Sequence, residues 1–288
     1  MILVTGGAGY IGSHVVKFLI EKGKEVVVFD NLSRGHREAV HPKALFETVD
    51  ILDYNALMEA LKKYKIDAVV HFAAFAYVGE SVEKPEMYYR NNVVGSFNLI
   101  KAVTECGIKK FVFSSTCSLY GNPYKVPISE EEPTKPINSY AQTKLMIEKM
   151  LADFDTAYGL KYVALRYFNA AGADFEGKIG ESHLPETHLI PIVLEAALGK
   201  RDKVMIFGDD YETEDGTCVR DYIHIYDLAD AHLKALEYLE TYDSSDIFNL
   251  GTGSGYSVKE IISTSEKVTD RYIKTEMAGR RAGDPAVL

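Results

Sequence analysis

Ile2-Leu3-Val4-Thr5-Gly6-Gly7-Ala8-Gly9-Tyr10-Ile11-Gly12 is the stretch on which the fold turns. Four strand-forming residues lead into a glycine run that satisfies G-x-G-x-x-G through Gly7, Gly9 and Gly12, and G-x-x-G-x-x-G through Gly6, Gly9 and Gly12. Residues 11–22 then read as an amphipathic helix that Gly23 closes at its C′ position. Glycine suits such a turn because the bend is tight, a Cβ would block a pyrophosphate, and the helix must pack closely on the strand. The free N–H groups of the helix N-terminus complete an anion site. Strand, loop and helix together predict the opening βαβ unit of a dinucleotide-binding domain. Asp30, at the end of the next strand candidate and 21 residues beyond Gly9, is placed to accept hydrogen bonds from an adenine ribose. Its carboxylate favours NAD over a 2′-phosphorylated dinucleotide. Arg34 nearby reads as a solvated loop residue. Asp50-Ile51 falls where the adenine edge would lie, with Asp50 equally able to cap the next helix.

Working outward, apolar runs at 2–5, 25–29, 45–49, 68–72, 110–114 and 162–166 alternate with helical patterns at 11–22, 55–64, 85–106 and 139–150. That alternation is the rhythm of βαβ units on a parallel sheet. Asn138 or Ser139 is positioned to cap the last of these helices. Beyond Asn169, glycines, prolines and acidic turns at 172–185 and 208–216 break the rhythm, and shorter pieces remain at 190–198, 204–207, 228–239 and 258–268. The expectation is an α/β chain: a Rossmann-like doubly wound parallel sheet over residues 1–169, followed by a smaller C-terminal α/β substrate-binding lobe over 170–288. Some segments of that lobe are expected to return to the first domain.

Chemistry enters with Tyr140 and Lys144, which at i,i+4 share one helical face. Of the 19 tyrosines, Tyr140 alone has a lysine four residues later. A tyrosine that titrates near 10 is no base at neutral pH unless a nearby cation stabilises its phenolate. Lys144, helped by a positive nicotinamide ring, is the expected cation. Ser114-Ser115-Thr116 ends a strand candidate, with Thr116 24 residues before Tyr140. Open α/β sheets bind ligands beyond such strand ends, and a hydroxyl there can bridge substrate and tyrosine oxygens.

At this point the chain resembles the extended short-chain dehydrogenase/reductases, and within them the UDP-hexose 4-epimerases. The resemblance runs through residues 4–14, Asp30-Asn31-Leu32-Ser33, His71-Phe72-Ala73-Ala74, residues 88–93, Ser114-Ser115-Thr116 and Ser139-Tyr140. It continues through residues 166–172, 206–211, 215–224 and 280–284, the segments that separate these epimerases from other dehydrogenases. The resemblance implies NAD held by Gly6, Gly9, Tyr10, Ile11, Gly12, Asp30, Asn31, Asp50, Ile51, Phe72, Ala73, Ala74, Asn91, Tyr140, Lys144 and Tyr167. It implies Asn169 and Arg220 on the substrate diphosphate, Arg281 and Asp284 beside the nucleotide, and Leu189, Met205, Ile206 and Phe207 around the uracil. The planar guanidinium of an arginine matches diphosphate oxygens. Tyr140, Lys144 and Thr116 are the implied catalytic residues of a reaction that inverts C4 of a UDP-hexose through a 4-keto intermediate. Cytoplasmic carbohydrate metabolism and a homodimer paired through 85–106 and 139–150 are implied with it. The relatives usually continue for about forty residues past the position of Leu288, so the second lobe is expected to be truncated. Ala286-Val287-Leu288 stands where some relatives carry a tyrosine that crowds the sugar C2 substituent, which leaves a UDP-N-acetylhexosamine 4-epimerase as an alternative. A nucleotide-sugar 4,6-dehydratase is a second alternative, although Cys117-Ser118 replaces that family's carboxylate pair after the threonine. A non-catalytic NAD-sensing protein is a third.

Bulk composition agrees. The 288 residues are 47% hydrophobic and 26% charged, as in an ordinary globular protein. A formal net charge of −10 disfavours nucleic acid or an anionic membrane as the main partner. Cys106, Cys117 and Cys218 are odd in number and form no C-x-x-C, so neither a disulfide framework nor a zinc knuckle is expected, no metal is expected, and a reduced cytosol fits. Met1 leads straight into the first strand without a basic, apolar leader, and no apolar run reaches the ~20 residues that span a bilayer.

Overall fold

The computed structural model describes residues 1–281 and 285–288. From its start the chain runs β1 (Ile2–Thr5), α1 (Tyr10–Glu21), β2 (Val26–Asp30), β3 (Leu45–Thr48), α2 (Tyr54–Lys62), β4 (Ala68–His71), α3 (Val78–Glu83), α4 (Pro85–Tyr88), α5 (Gly95–Glu105), β5 (Lys110–Ser114), α6 (Ser139–Tyr158) and β6 (Lys161–Tyr167). It continues through β7 (Asn169–Ala171), α7 (Leu189–Ala197), β8 (Val204–Phe207), β9 (Val219–His224), α8 (Ile225–Tyr242), β10 (Asp246–Leu250), β11 (Gly255–Ser257), α9 (Val258–Thr269) and β12 (Thr275–Ala278).

Seven strands form one parallel sheet in the order β10-β6-β5-β4-β1-β2-β3. Successive side chains of a strand point to opposite faces, so a sheet covered on both sides needs apolar residues at every position. The strands meet that demand. Val4, Val26, Val28, Val70, Val112, Val163 and Leu165 pack on one side with α1 and α8. Leu3, Val27, Phe29, Val69, Phe111, Phe113 and Ala164 pack on the other with α2, α5 and α6. From β1 the chain winds outward through β2 and β3, then returns to β4 and winds the other way, so the direction switches between β1 and β4. At such a point the loops leaving the strand ends diverge and open a crevice.

The sequence-based boundaries of the first six strands lie within a residue or two of those observed. Asn138 caps α6, its side chain accepting from the N–H of Ala141 at 2.8 Å. Gly23 closes α1 at φ +77°, with its N–H on the Ile20 carbonyl and that of Lys24 on Leu19. The pattern read as one helix over 85–106 is one helical run whose middle, Tyr89–Val94, widens to π geometry. Such bulges often mark functional sites, and this one carries Asn91 and Asn92. α6 extends to Tyr158, beyond the expected 150, and stops where Gly159 turns left-handed at φ +67°.

After β6 the chain divides its material. α8 packs against α1, and β10 adds a seventh strand beside β6, so both belong with the central sheet. The remainder builds a second core from Val193, Ala197, Val204, Ile206, Ile262 and Ile273, flanked by the two-stranded sheet β12-β8 and the three-stranded sheet β11-β9-β7. Among the described residues no helix is long and apolar enough to cross a membrane.

Candidate active site

The crevice at the switch point is lined by Gly6, Gly9, Asp30, Asn31, Ile51, Phe72, Ala73, Ala74 and Asn91 among the residues named from the sequence. Its glycines answer to different demands. Gly6 has φ +72°, and a Cβ there would lie 2.6 Å from the Ala73 backbone nitrogen, where the loops after β1 and β4 touch. A Cβ on Gly12 would lie 2.2 Å from the Gly6 carbonyl oxygen. Gly9 is unlike either: φ is −80°, and a Cβ would meet only the Gly6 oxygen, at 3.4 Å. The fold therefore requires Gly6 and Gly12, whereas the space over Gly9 is left open on the ligand side. Gly9 is the N-cap of α1 without a side-chain cap, and no acidic residue occupies the first turn. The N–H groups there are consequently available to an anion. These features fit a dinucleotide pyrophosphate. The Tyr10 hydroxyl is taken up by the Gly172 carbonyl, to which it donates at 2.6 Å.

Asp30 is buried at the end of β2, which raises its pKa, while N–H groups of Ala8 and Leu32 at 3.0 and 2.8 Å oppose the shift. Each carboxylate oxygen keeps accepting capacity for a ribose hydroxyl. Asn31 donates to Asp50 at 3.2 Å, so Asp50 stands behind Asn31 and does not line the crevice itself. Sequence reasoning missed Phe29, Ser33, Gly35, Val49 and Phe75, which also line it. It also misread Arg34. The guanidinium is no solvated loop group: it lies 4.9 Å over the Phe75 ring and 5.0 Å over Tyr77, and it pairs with Glu80 at 2.8 Å.

The three hydroxyls at the end of β5 diverge. Ser114 bonds the Tyr167 hydroxyl, Ser115 donates to Glu148, and Thr116, whose hydroxyl accepts from the Ser118 N–H at 3.2 Å, turns to Tyr140 and opposes the rise in its pKa. Thr116 is thus singled out from its neighbours by geometry. Lys144, 3% exposed, donates to the Ser114 carbonyl at 2.7 Å and lies 5.9 Å from the Tyr140 ring centroid. Burial pushes the Tyr140 hydroxyl up to about 12, against the pull of Thr116. Burial likewise pulls Lys144 down to about 7, with Glu148 opposing. Desolvation disfavours charge on both partners, so the expected phenolate needs the positive nicotinamide ring as well as Lys144.

Behind the pair lies a buried clamp. Glu148 and Arg166 meet through two contacts, at 2.6 and 3.0 Å, and Arg166 also donates to the Tyr120 hydroxyl at 2.8 Å. Tyr120 in turn donates to Asn249 of β10 at 2.7 Å. A two-pronged carboxylate–guanidinium pair has fixed geometry, so it sets the spacing between α6, β6 and the β5 end.

On the lobe side, Asn169 donates to the Asp221 carbonyl at 3.0 Å and Arg220 to the Val219 carbonyl at 2.8 Å. The Arg281 guanidinium lies 3.9 Å over the Phe207 ring. Ile206 is a correction: its side chain is part of the lobe's buried core, while Met205 and Phe207 alternate to the other face of β8. Leu189 packs against the same core from the start of α7. Asp284 lies outside the described residues.

Known proteins match this arrangement throughout its length. The family model described as the NAD dependent epimerase/dehydratase family matches residues 2–251. The UDP-glucose 4-epimerase of Halalkalibacterium halodurans is 56% identical over 287 residues, 100% of this chain and 86% of that protein. The crystal structure of the Brucella ovis UDP-glucose 4-epimerase in complex with NAD is 53% identical, with a TM-score of 0.97 over 100% of this chain and 88% of that one. That of the Bifidobacterium longum enzyme in complex with NAD+ and UDP is 38% identical, with a TM-score of 0.93 over 99% of this chain and 88% of that one. A glycine cradle at the switch point, the convergence of Thr116, Tyr140 and Lys144, and these matches have one meaning: the chain belongs to the NAD dependent epimerase/dehydratase family.

Proposed function

We propose that this chain is an NAD-dependent isomerase that inverts C4 of a UDP-hexose, interconverting UDP-galactose and UDP-glucose. The observation that carries the reading is the convergence of Thr116, Tyr140 and Lys144, with the Lys144 ammonium 5.9 Å from the Tyr140 ring centroid. Thr116 orients the C4 hydroxyl, and Tyr140 removes its proton and later returns one. NAD, when bound, would supply a hydride acceptor that later gives the hydride back to the other face of C4, and its ring would carry a positive charge until the hydride arrives. That charge favours the phenolate and so offsets the burial that raises Tyr140. Lys144 is held by the Ser114 carbonyl within reach of the same region.

Inversion also requires that the oxidised sugar turn over without leaving. In this reading Asn169, Arg220 and Arg281 hold the diphosphate, while Leu189, Met205 and Phe207 shelter the uracil. The named relatives support both ligands, one structure containing NAD and another NAD+ and UDP. A 4,6-dehydratase would need a further acid and base after Thr116. Cys117 there is 1% exposed, its thiol donates to the Arg166 carbonyl at 3.2 Å, and burial pushes its pKa up. The geometry therefore favours the epimerase.

Two identical chains pairing across α5 and α6 complete the reading, supported by Phe97 and Met146 standing exposed on those helices. Free, buried Cys117 and Cys218 suit a reducing cytoplasm. Purified protein given UDP-galactose without added dinucleotide, followed by identification of the product sugar, tests the function. UDP-glucose is expected. A 6-deoxy-4-keto sugar, or unchanged substrate even with NAD added, would overturn it.

A further inference from the structure

The loop ahead of α7 repeats a short pattern, Glu181-Ser182-His183 and Glu186-Thr187-His188. One ligand atom from each of these glutamates and histidines lies within 4.8 Å of all the others. His183 Nδ1 is 3.1 Å from a Glu181 oxygen and 3.7 Å from a Glu186 oxygen. His188 Nδ1 is 2.8 Å from Glu181 and 2.9 Å from Glu186. Metal–ligand bonds of about 2.0–2.1 Å in a tetrahedron put neighbouring donors ~3.3 Å apart. The four observed separations bracket that value.

The electrostatics point the same way. The Glu181 and Glu186 side chains are only 11% and 7% exposed, yet their carboxylates converge on the same two rings. The two rings hold both carboxyls below their ordinary range while the carboxylates raise His188, so a dication at the common focus would take the place of the proton on His188. Two imidazoles in the donor set select against magnesium and calcium, which take oxygen ligands, and suit an ion of zinc's class.

We infer that Glu181, His183, Glu186 and His188 form a binding site for a divalent transition cation, tetrahedral and of N2O2 donor set. The site is distinct from the Thr116, Tyr140 and Lys144 constellation, and the inference does not rest on the proposed reaction. Its surroundings indicate what the ion does. The His183 ring meets Tyr10 edge-on at 6.3 Å and Tyr77 at 5.7 Å, and His36 bonds the Ser182 carbonyl at 3.1 Å. His188 directly precedes α7. A bound ion thus pins the 181–188 loop at once to the start of α1 and to the start of the lobe helix.

The test uses the untagged chain, stripped with chelator and dialysed, then titrated with Zn2+ in a calorimeter and separately with Co2+ in a spectrophotometer. One Zn2+ per chain, a rise in Tm with the ion, and the intense visible bands of tetrahedral Co2+ are expected. Glu181→Gln and His183→Asn should each weaken binding at least about tenfold, and His183→Asn with His188→Asn should abolish it together with the Tm rise. Circular dichroism of the metal-free variants separates lost ligands from lost fold. No saturable binding by the parent, a weak octahedral Co2+ spectrum, or unchanged affinity in a folded double variant would overturn the inference.

Discussion

At the scale of single residues, burial disfavours charge on both Tyr140 and Lys144, and this leaves a signature that titration can read. Lys144 has its pKa lowered from 10.5 to about 7 by desolvation. Between those values the unfolded chain carries a proton that the folded chain lacks, so this residue makes stability rise with pH across the window. The slope is at most about 1.4 kcal/mol per pH unit. Urea unfolding of the parent and of Lys144→Met should therefore give a stability difference that changes in the parent's favour from pH 7 to 10. A difference independent of pH would show that the ammonium is not desolvated. Spacing in the sequence brought out Tyr140, Lys144 and Thr116 together, because i,i+4 and a strand end are local facts. The sign of the perturbation was not legible, since it depends on the burial of Lys144 against Phe113 and Ser114 of β5, which Glu148, four residues on in the same helix, only opposes. Arg34 was misread for the same reason: Phe75, Tyr77 and Glu80 reach it only once β4 lies beside β1.

Among the elements, the β1–loop–α1 unit separates what the fold needs from what the ligand needs. Gly12→Ala drives a Cβ to 2.2 Å from the Gly6 oxygen and should unfold or strongly destabilise the chain, a loss of several kcal/mol typical of overpacking and strain. Gly9→Ala meets nothing closer than 3.4 Å and should leave the melting temperature within a few degrees of the parent while abolishing retention of NAD. Thermal melts and the dinucleotide content of the purified variants check both. Equal loss of stability in the two would remove the distinction. Most elements of the first half were legible, because strands apolar on both faces and helices with marked caps announce themselves locally. β10 was not. Its Asp246-Ile247-Phe248-Asn249-Leu250 is a strand because β6 offers an open edge, and Asn249 is fixed by Tyr120 and by Ile128. The short β7, β9, β11 and β12 are likewise defined by their pairing partners. The Glu181–His188 cluster escaped notice because its chemistry appears only when the loop folds its four donors inward.

For the whole molecule, the central sheet draws on residues from both ends of the chain, so the site between sheet and lobe forms as one unit. The proposed pairing of two copies across α5 and α6 would add a further level of order. Phe97→Glu combined with Met146→Glu places charges on that face and should halve the mass seen by light scattering, while a mass unchanged by the pair of substitutions would place the interface elsewhere. The proposed reaction turns on the fate of one hydrogen. UDP-galactose carrying deuterium at C4, incubated without added dinucleotide, should yield UDP-glucose that keeps its deuterium at C4. Tyr140→Phe should slow this conversion by about 10²–10⁴-fold while the chain stays folded. Loss of the label to solvent, or a Tyr140→Phe chain that converts the sugar as fast as the parent, would contradict the account.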